Sequence, residues 1–130
     1  MIKEFVTQKP KVICCVRNIA DIERSFVSLF AKNNRTDFYE SPMFSELEMA
    51  MAGVRFALDD NDADAYLFVE YEDLIDETKN VLDEIYSFLG MDSFDHDLTN
   101  IVDMNPENDS VYGLEGMHVV RSIPCQTPAG

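Results

Sequence analysis

The sequence has 130 residues, of which 25 are acidic and 10 are basic, so its formal net charge at pH 7 is -15. This length and a hydrophobic share of 46% suit one domain with a single core. The charge disfavours nucleic acids and anionic membranes as partners, because no basic stripe offsets it. An anionic ligand must therefore be held by a few local groups.

The chain is expected to be a cytoplasmic protein without a membrane span. Its apolar runs are far shorter than the roughly 20 residues that cross a bilayer, and no secretory signal is recognised. The three cysteines, Cys14, Cys15 and Cys125, form neither a disulfide framework nor a metal-binding spacing. We expect them to be small buried apolar side chains, and no metal site is predicted.

A strand followed by a helix is predicted near the start of the chain. Residues 12–16 (VICCV) lack polar alternation, which is typical of a parallel strand covered on both faces. Asn18 is predicted to cap the next helix, with Asp21 as the acid of a capping box. Its inward face is predicted to be Ile19, Ile22, Phe26, Leu29 and Phe30, and the polar residues 32–36 end it.

A second helix is predicted to start at Pro42, with Ser41 as its cap. Its inward face is predicted to be Phe44, Leu47, Met51, Val54 and Leu58. The acidic residues 59–64 that follow are expected to form a solvated loop, because they lack the spacing of a calcium loop.

Residues 66–69 (YLFV) predict a second buried strand, and residues 76–89 predict a third helix that stops at Gly90. Beyond residue 91 the periodicity fades, which is typical of a loop that wraps a site or a partner. Residues 118–121 are the one further strand candidate. The fold class is therefore α/β, an incomplete three-layer fold with a short parallel sheet flanked by helices. Because its strands lack neighbours, we expect either self-association into a homo-oligomer or completion of the sheet by a missing N-terminal half.

Arg17 and Ser25 are the candidate ligand-binding pair. Arg17 follows the first strand, at the sheet edge where α/β proteins bind ligands, and the next helix directs its amino end to the same place. Ser25 lies roughly 10 Å along that helix. A phosphate could be shared by the guanidinium fork and the hydroxyl. Spacing alone favours the alternative, in which Arg17 pairs with an acid and Ser25 has no special role.

Three motifs resemble the sulfotransferases that use 3'-phosphoadenosine 5'-phosphosulfate (PAPS). "VRNIADIERSF" keeps the spacing of Arg and Ser that is found after a strand in that family. "FVEYEDLIDETKNVLDEIYSFLG" is similar to its later strand and helix, and "ENDSVYGLEGMHVVRSIP" is similar to the closing segment of a bacterial and phage-type branch. The resemblance extends over residues 11–124 and implies a P-loop-like fold.

The resemblance implies roles for four residues. Arg17 and Ser25 would bind the 3'-phosphate of PAPS, Tyr71 would help to hold the adenine, and Arg121 would be a weaker second phosphate contact. From its position alone, Tyr71 can equally well pack against the protein. The implied reaction moves a sulfuryl group from PAPS to a hydroxyl or amine acceptor.

The sequence also departs from the family pattern. The glycine-rich loop for the 5'-phosphosulfate and the catalytic base both come before the Arg strand in the family, and neither is recognised before Lys11. His96 and His118 are better explained as surface and structural residues, so no catalytic residue is assigned. We therefore expect residues 1–130 to be one domain, the C-terminal half of a sulfotransferase domain, that transfers no sulfate alone. The alternatives are a non-catalytic nucleotide-binding module and an acidic protein-interaction module.

Overall fold

The computed structural model describes residues 9–99, 101 and 106–119, which form the α/β architecture that the sequence predicts. Single-turn 3-10 helices precede the second long helix and the second strand, and another lies at Asp109–Tyr112. The main elements, in chain order, are β1 (Val12–Val16), α1 (Ile19–Lys32), α2 (Pro42–Asp59), β2 (Tyr66–Glu70), α3 (Tyr71–Asp76) and α4 (Thr78–Leu89). Within the described ranges, no helix is both long and apolar enough to cross a membrane.

The two strands pair in parallel, with Val12 opposite Tyr66 and Val16 opposite Glu70. Helices α1 and α2 make the crossover between them, as a parallel connection requires. Both strands therefore end at the same edge of the sheet. The residues that follow them, Arg17 and Tyr71, begin next to each other.

The prediction that both strands are covered on both faces was wrong. Ile13 in β1 and Phe68 in β2 are each 36% exposed, whereas Val69 is 4% exposed. A ribbon of two strands is too narrow for the helices to cover both of its faces. Cys15 is consequently exposed rather than buried, whereas Cys14 is half-buried and burial raises the pKa of its thiol. Cys125 lies outside the described residues.

Helix α1 begins where the sequence predicts, but one side chain caps its N-terminus instead of the predicted two. The side-chain oxygen of Asn18 accepts a hydrogen bond of 2.9 Å from the Ala20 amide. The carboxylate of Asp21 instead accepts from the Arg24 guanidinium at 2.7 Å. The predicted capping box is thus replaced by a cap from Asn18 alone.

The core joins α1, the residues before α2 and the segment 106–119, which we call the closing segment. Phe30, Phe38 and Leu114 are at most 2% exposed, and the Phe38 ring centroid lies 5.5 Å from that of Phe30. The Asn33 side chain donates to the Glu115 carbonyl at 3.1 Å and accepts from the Glu115 amide at 2.8 Å. The closing segment is therefore anchored to α1 by one buried leucine and two hydrogen bonds.

Helix α2 has the predicted start, and four of the five residues of its predicted inward face, Phe44, Leu47, Met51 and Val54, are half-buried; only its last turn differs from the prediction. Ser41 precedes Pro42 and donates its hydroxyl to the Phe38 carbonyl at 2.6 Å. Ala57 is buried at 6% exposure, whereas the predicted core residue Leu58 is 65% exposed. Because Phe56 and Leu58 flank Ala57, the apolar pattern of this last turn does not single out one face.

The predicted third helix, residues 76–89, is confirmed as α4 with a start two residues later, and a short helix that was not predicted, α3, precedes it. Helix α3 ends at Asp76, and α4 starts at Thr78, whose hydroxyl donates to the Leu74 carbonyl at 2.7 Å. Gly90 ends α4 in the left-handed conformation with φ 71°, as predicted. Of the predicted strand at residues 118–121, His118 lies in a turn and Val119 has no strand partner among the described residues. Residues 120 and 121 lie outside them.

Candidate functional site

Arg17 and Tyr71 meet at the carboxyl edge of the sheet. The strand register places them side by side, and the guanidinium carbon of Arg17 lies 4.1 Å from the centroid of the Tyr71 ring. This is a close cation–π contact. Sequence analysis named both residues but did not pair them, although two parallel neighbouring strands that end in register would bring them together.

The charge of Arg17 is only loosely balanced. Its Nε lies 3.8 Å from Oε1 of Glu72, too far for a hydrogen bond, and no hydrogen bond of Arg17 occurs among the described residues. Its side chain is 33% exposed. The guanidinium therefore retains hydrogen-bond donors for an anion. The contact with Glu72 agrees in part with the alternative in which Arg17 pairs with an acid, but it is too long to engage the guanidinium donors.

Ser25 is exposed on α1, and no hydrogen bond within the described residues joins it to Arg17. Near the start of the same helix, the amide of Ala20 is capped by the Asn18 side chain, and those of Asp21 and Ile22 donate to the Asn18 carbonyl. An anion at this helix end would therefore depend on side chains more than on these amides. Arg121, the fourth candidate, lies outside the described residues.

Comparison with known proteins gives one match. A family model described as "Sulfotransferase domain" matches residues 1–106. The chain belongs to the sulfotransferase domain family. No curated protein and no solved structure matches it. The matched region includes Arg17, Ser25 and Tyr71, whereas most of the closing segment and Arg121 lie beyond it.

The two histidines of this sulfotransferase-family chain are engaged in structural contacts. His118 contacts Asp109 through Nδ1 at 2.7 Å, and its backbone amide donates to the same carboxylate at 3.2 Å. The hydrogen bond from His118 holds the pKa of Asp109 below its usual value. His96 lies 2.8 Å from the Tyr86 hydroxyl through Nε2. These contacts agree with the surface and structural roles expected from the sequence.

A shallow pocket lies beside His96, on α4 and the chain that follows it. Lys79, Asp83 and Phe94 are among the residues that line it. Hydrogen bonds from Ser93 and Lys79 lower the pKa of Asp83. Its lining includes neither Arg17 nor Tyr71, so the pocket is separate from the sheet edge where the sulfotransferase motifs meet.

Proposed function

We propose that this chain binds PAPS as the sulfuryl donor for transfer to a hydroxyl or amine acceptor. In this proposal, Arg17 and Ser25 hold the 3'-phosphate, Tyr71 borders the adenosine, and Arg121 gives a second phosphate contact. The observation that carries the proposal is the guanidinium of Arg17. It lies at the end of a parallel strand, on an aromatic ring, with no hydrogen bond among the described residues.

The chemistry of Arg17 and Ser25 suits the 3'-phosphate of PAPS. A guanidinium supplies paired donors in one plane, and a serine hydroxyl supplies a further donor for a phosphate oxygen. With a net charge of -15, the chain repels anions at long range, so these local donors must provide the recognition. When bound, PAPS supplies the activated sulfuryl group, and these side chains orient the nucleotide that carries it.

We assign the chain the nucleotide side of one sulfotransferase domain, formed by residues 1–130 as a single unit. The motifs over residues 11–124 are those that follow the phosphosulfate loop in the family resemblance. No described residue is given the role of phosphosulfate cradle or catalytic base. The proposal for this chain is therefore limited to holding the cofactor by its 3'-phosphate.

Calorimetric titration of the chain with adenosine 3',5'-bisphosphate tests this function. We expect tighter binding of the bisphosphate than of adenosine 5'-monophosphate, because only the former has the 3'-phosphate. Arg17→Ala should weaken bisphosphate binding by about tenfold or more, since a charge-assisted hydrogen bond contributes about 1.5–3 kcal/mol. Ser25→Ala should weaken it by a smaller factor.

Two neighbouring residues of α1 serve as matched controls. Arg24 is exposed and pairs with Asp21, and Ser28 is exposed on the same helix as Ser25. Arg24→Ala and Ser28→Ala should leave bisphosphate affinity within about twofold, the variation usual for a surface change. Equal affinities for the two nucleotides, or equal losses in Arg17→Ala and Arg24→Ala, would contradict the proposal.

A further inference from the structure

We infer that Tyr71 is a positioning residue for Arg17: its ring holds the guanidinium so that the edge of the guanidinium faces the 3'-phosphate. This inference rests on the proposed function and goes beyond it by giving Tyr71 a role through Arg17 in addition to its place beside the adenosine. The starting observation is the distance of 4.1 Å between the guanidinium carbon and the ring centroid.

The backbone favours this contact. Val16 and Glu70 are paired in the parallel register, so the residues that follow them leave the sheet side by side. Arginine has a long side chain with many rotamers, and binding an anion restricts that freedom. A ring that already restrains the side chain lowers this part of the cost, so the anion meets a preoriented donor.

The geometry of a guanidinium explains why a ring can hold it without blocking it. Its five N–H groups lie in the plane of the group, whereas stacking uses only its face. In the inferred arrangement, the face of the guanidinium lies on the Tyr71 ring, and its edge donors remain free for a phosphate. Glu72 approaches Nε only to 3.8 Å and forms no hydrogen bond with it.

The same protein contains a completed example of this arrangement. The guanidinium carbon of Arg35 lies 4.6 Å from the Phe30 ring centroid. From this position, Nε and Nη2 of Arg35 donate to the two carboxylate oxygens of Asp37 at 2.9 Å and 2.6 Å. An arginine that contacts an aromatic ring thus presents its edge to a two-oxygen anion. Arg17 has the same contact with an aromatic ring, that of Tyr71. Among the described residues, however, no carboxylate is hydrogen-bonded to its guanidinium.

The contact also limits what Tyr71 can do for a base. One face of its ring is adjacent to Arg17, so an adenine cannot stack on that face while the pair is intact. The aromatic ring is therefore the part of Tyr71 that matters here, and its hydroxyl is dispensable. Removal of the ring should affect ligands with a 3'-phosphate more than ligands without one.

The test titrates Tyr71→Leu and Tyr71→Phe with adenosine 3',5'-bisphosphate and with adenosine 5'-monophosphate. Tyr71→Leu should weaken bisphosphate binding about threefold to fivefold, the range of a partly exposed cation–π contact, and weaken monophosphate binding by a smaller factor. Tyr71→Phe should retain the wild-type affinity for both. In an Arg17→Ala background, Tyr71→Leu should have a smaller effect than in the wild type. Tyr39→Leu, at a tyrosine that is 56% exposed, is the matched control.

Three results would overturn the inference while leaving the proposed function intact. One is an equal loss of affinity for both nucleotides in Tyr71→Leu, which would mean that the ring acts through the base. Another is a loss of bisphosphate affinity in Tyr71→Phe as large as that in Tyr71→Leu. The third is a loss from Tyr71→Leu in the Arg17→Ala background as large as its loss in the wild type.

A measurement without nucleotide separates the two proposals. In NMR spectra, the side-chain protons of Arg17 should show an upfield ring-current shift that Tyr71→Leu removes and Tyr71→Phe retains. Absence of this shift in the wild type overturns the positioning role alone. A wild type that shows the shift but has no preference for the bisphosphate overturns the proposed function, and the phosphate-directed role of Tyr71 with it.

Discussion

Arg17 and Arg35 show how one residue type acquires two roles from its surroundings. Both guanidinium groups lie over aromatic rings. Arg35 forms two hydrogen bonds with the carboxylate of Asp37, which raise the pKa of Arg35 and lower that of Asp37. Arg17 has only a loose contact with Glu72, so it remains available to a ligand. Because both arginines contact an aromatic ring, the difference in their roles comes from the carboxylate, which is hydrogen-bonded to Arg35 and is not hydrogen-bonded to Arg17.

Glu72 is expected to compete with the phosphate for Arg17. Glu72→Gln removes a negative charge that lies 3.8 Å from Nε, and two unit charges about 4 Å apart in water interact by about 1 kcal/mol. Affinity for adenosine 3',5'-bisphosphate should therefore rise about twofold to fivefold at low salt, and the gain should shrink at high salt. Titration at both ionic strengths measures it. Asp73→Asn, the same charge change one residue later, should give a smaller gain, and an equal gain would show that only net charge matters.

At the scale of elements, the parallel pairing of two strands places the site, and local signals fix the ends of the helices. The parallel pairing of β1 and β2 brings Arg17 to Tyr71. Asn18 begins α1 with a side-chain cap, and Gly90 ends α4 with a left-handed residue. These local features agree with the sequence signals, because capping and left-handed termini depend on one or two residues.

Two glycines should respond to alanine with opposite signs. At both Gly53 and Gly90, an added Cβ would meet no atom within 4 Å, so packing does not decide the outcome. Gly90 has φ 71°, where a side chain is strained, and Gly90→Ala should destabilise the protein by about 1 kcal/mol. Gly53 lies inside α2, where alanine is favoured by up to about 1 kcal/mol, so Gly53→Ala should stabilise it. Urea denaturation measures both, and a loss of stability in Gly53→Ala would contradict the open surroundings of that residue.

The internal structure of the closing segment should depend on pH through Asp109, which contacts His118 of the same segment. Its carboxylate bonds His118 twice, which holds the pKa of Asp109 below its unfolded value. A depressed carboxyl pKa stabilises the folded state above the unfolded pKa of about 3.9, and this contribution is lost as the pH falls through the folded pKa. Asp109→Asn should therefore lower the melting temperature at pH 7. It should have little effect at a pH below the folded-state pKa of Asp109, where the carboxyl group is protonated. Asp95→Asn, at an exposed residue, is the control; a pH-independent effect of Asp109→Asn would exclude the linkage.

At the scale of the whole molecule, a high negative charge coexists with an open sheet. The sheet described here has two strands, and apolar side chains such as Ile13 and Phe68 remain partly exposed on it. Unpaired strand edges favour association with another strand, whereas a charge of -15 opposes association with a second copy. We propose that the sheet edge is completed by a second copy of the chain once this repulsion is screened.

Light scattering after size exclusion tests this proposal. We expect a mass near 14.8 kDa at low ionic strength and a growing dimer fraction as salt is raised to about 0.3 M, where the Debye length falls well below 10 Å. Ile13→Lys, which adds a charge to β1, should reduce the dimer fraction. A monomer at every ionic strength would contradict the proposal.

Much of the local structure could be predicted from the sequence because its causes are local. The strand at residues 12–16, the helix start at Pro42 and the helix end at Gly90 all agree with the structure. The predictions failed where a distant neighbour decides the outcome. The exposure of Leu58 depends on what packs against α2, and the burial of Leu114 depends on the contact between the closing segment and Phe30.

For the candidate site, the sequence by itself determined which residues carry suitable chemistry and which family the motifs resemble. Arg17 could be named because it follows an apolar run that predicts a strand, and Tyr71 because the resemblance to the family implies a role for it. Only the tertiary structure decided that they touch, and that Glu72 approaches the same guanidinium. The reason is physical: strand formation depends on residues close in the chain, whereas the register of two strands separated by two helices depends on how the whole chain packs.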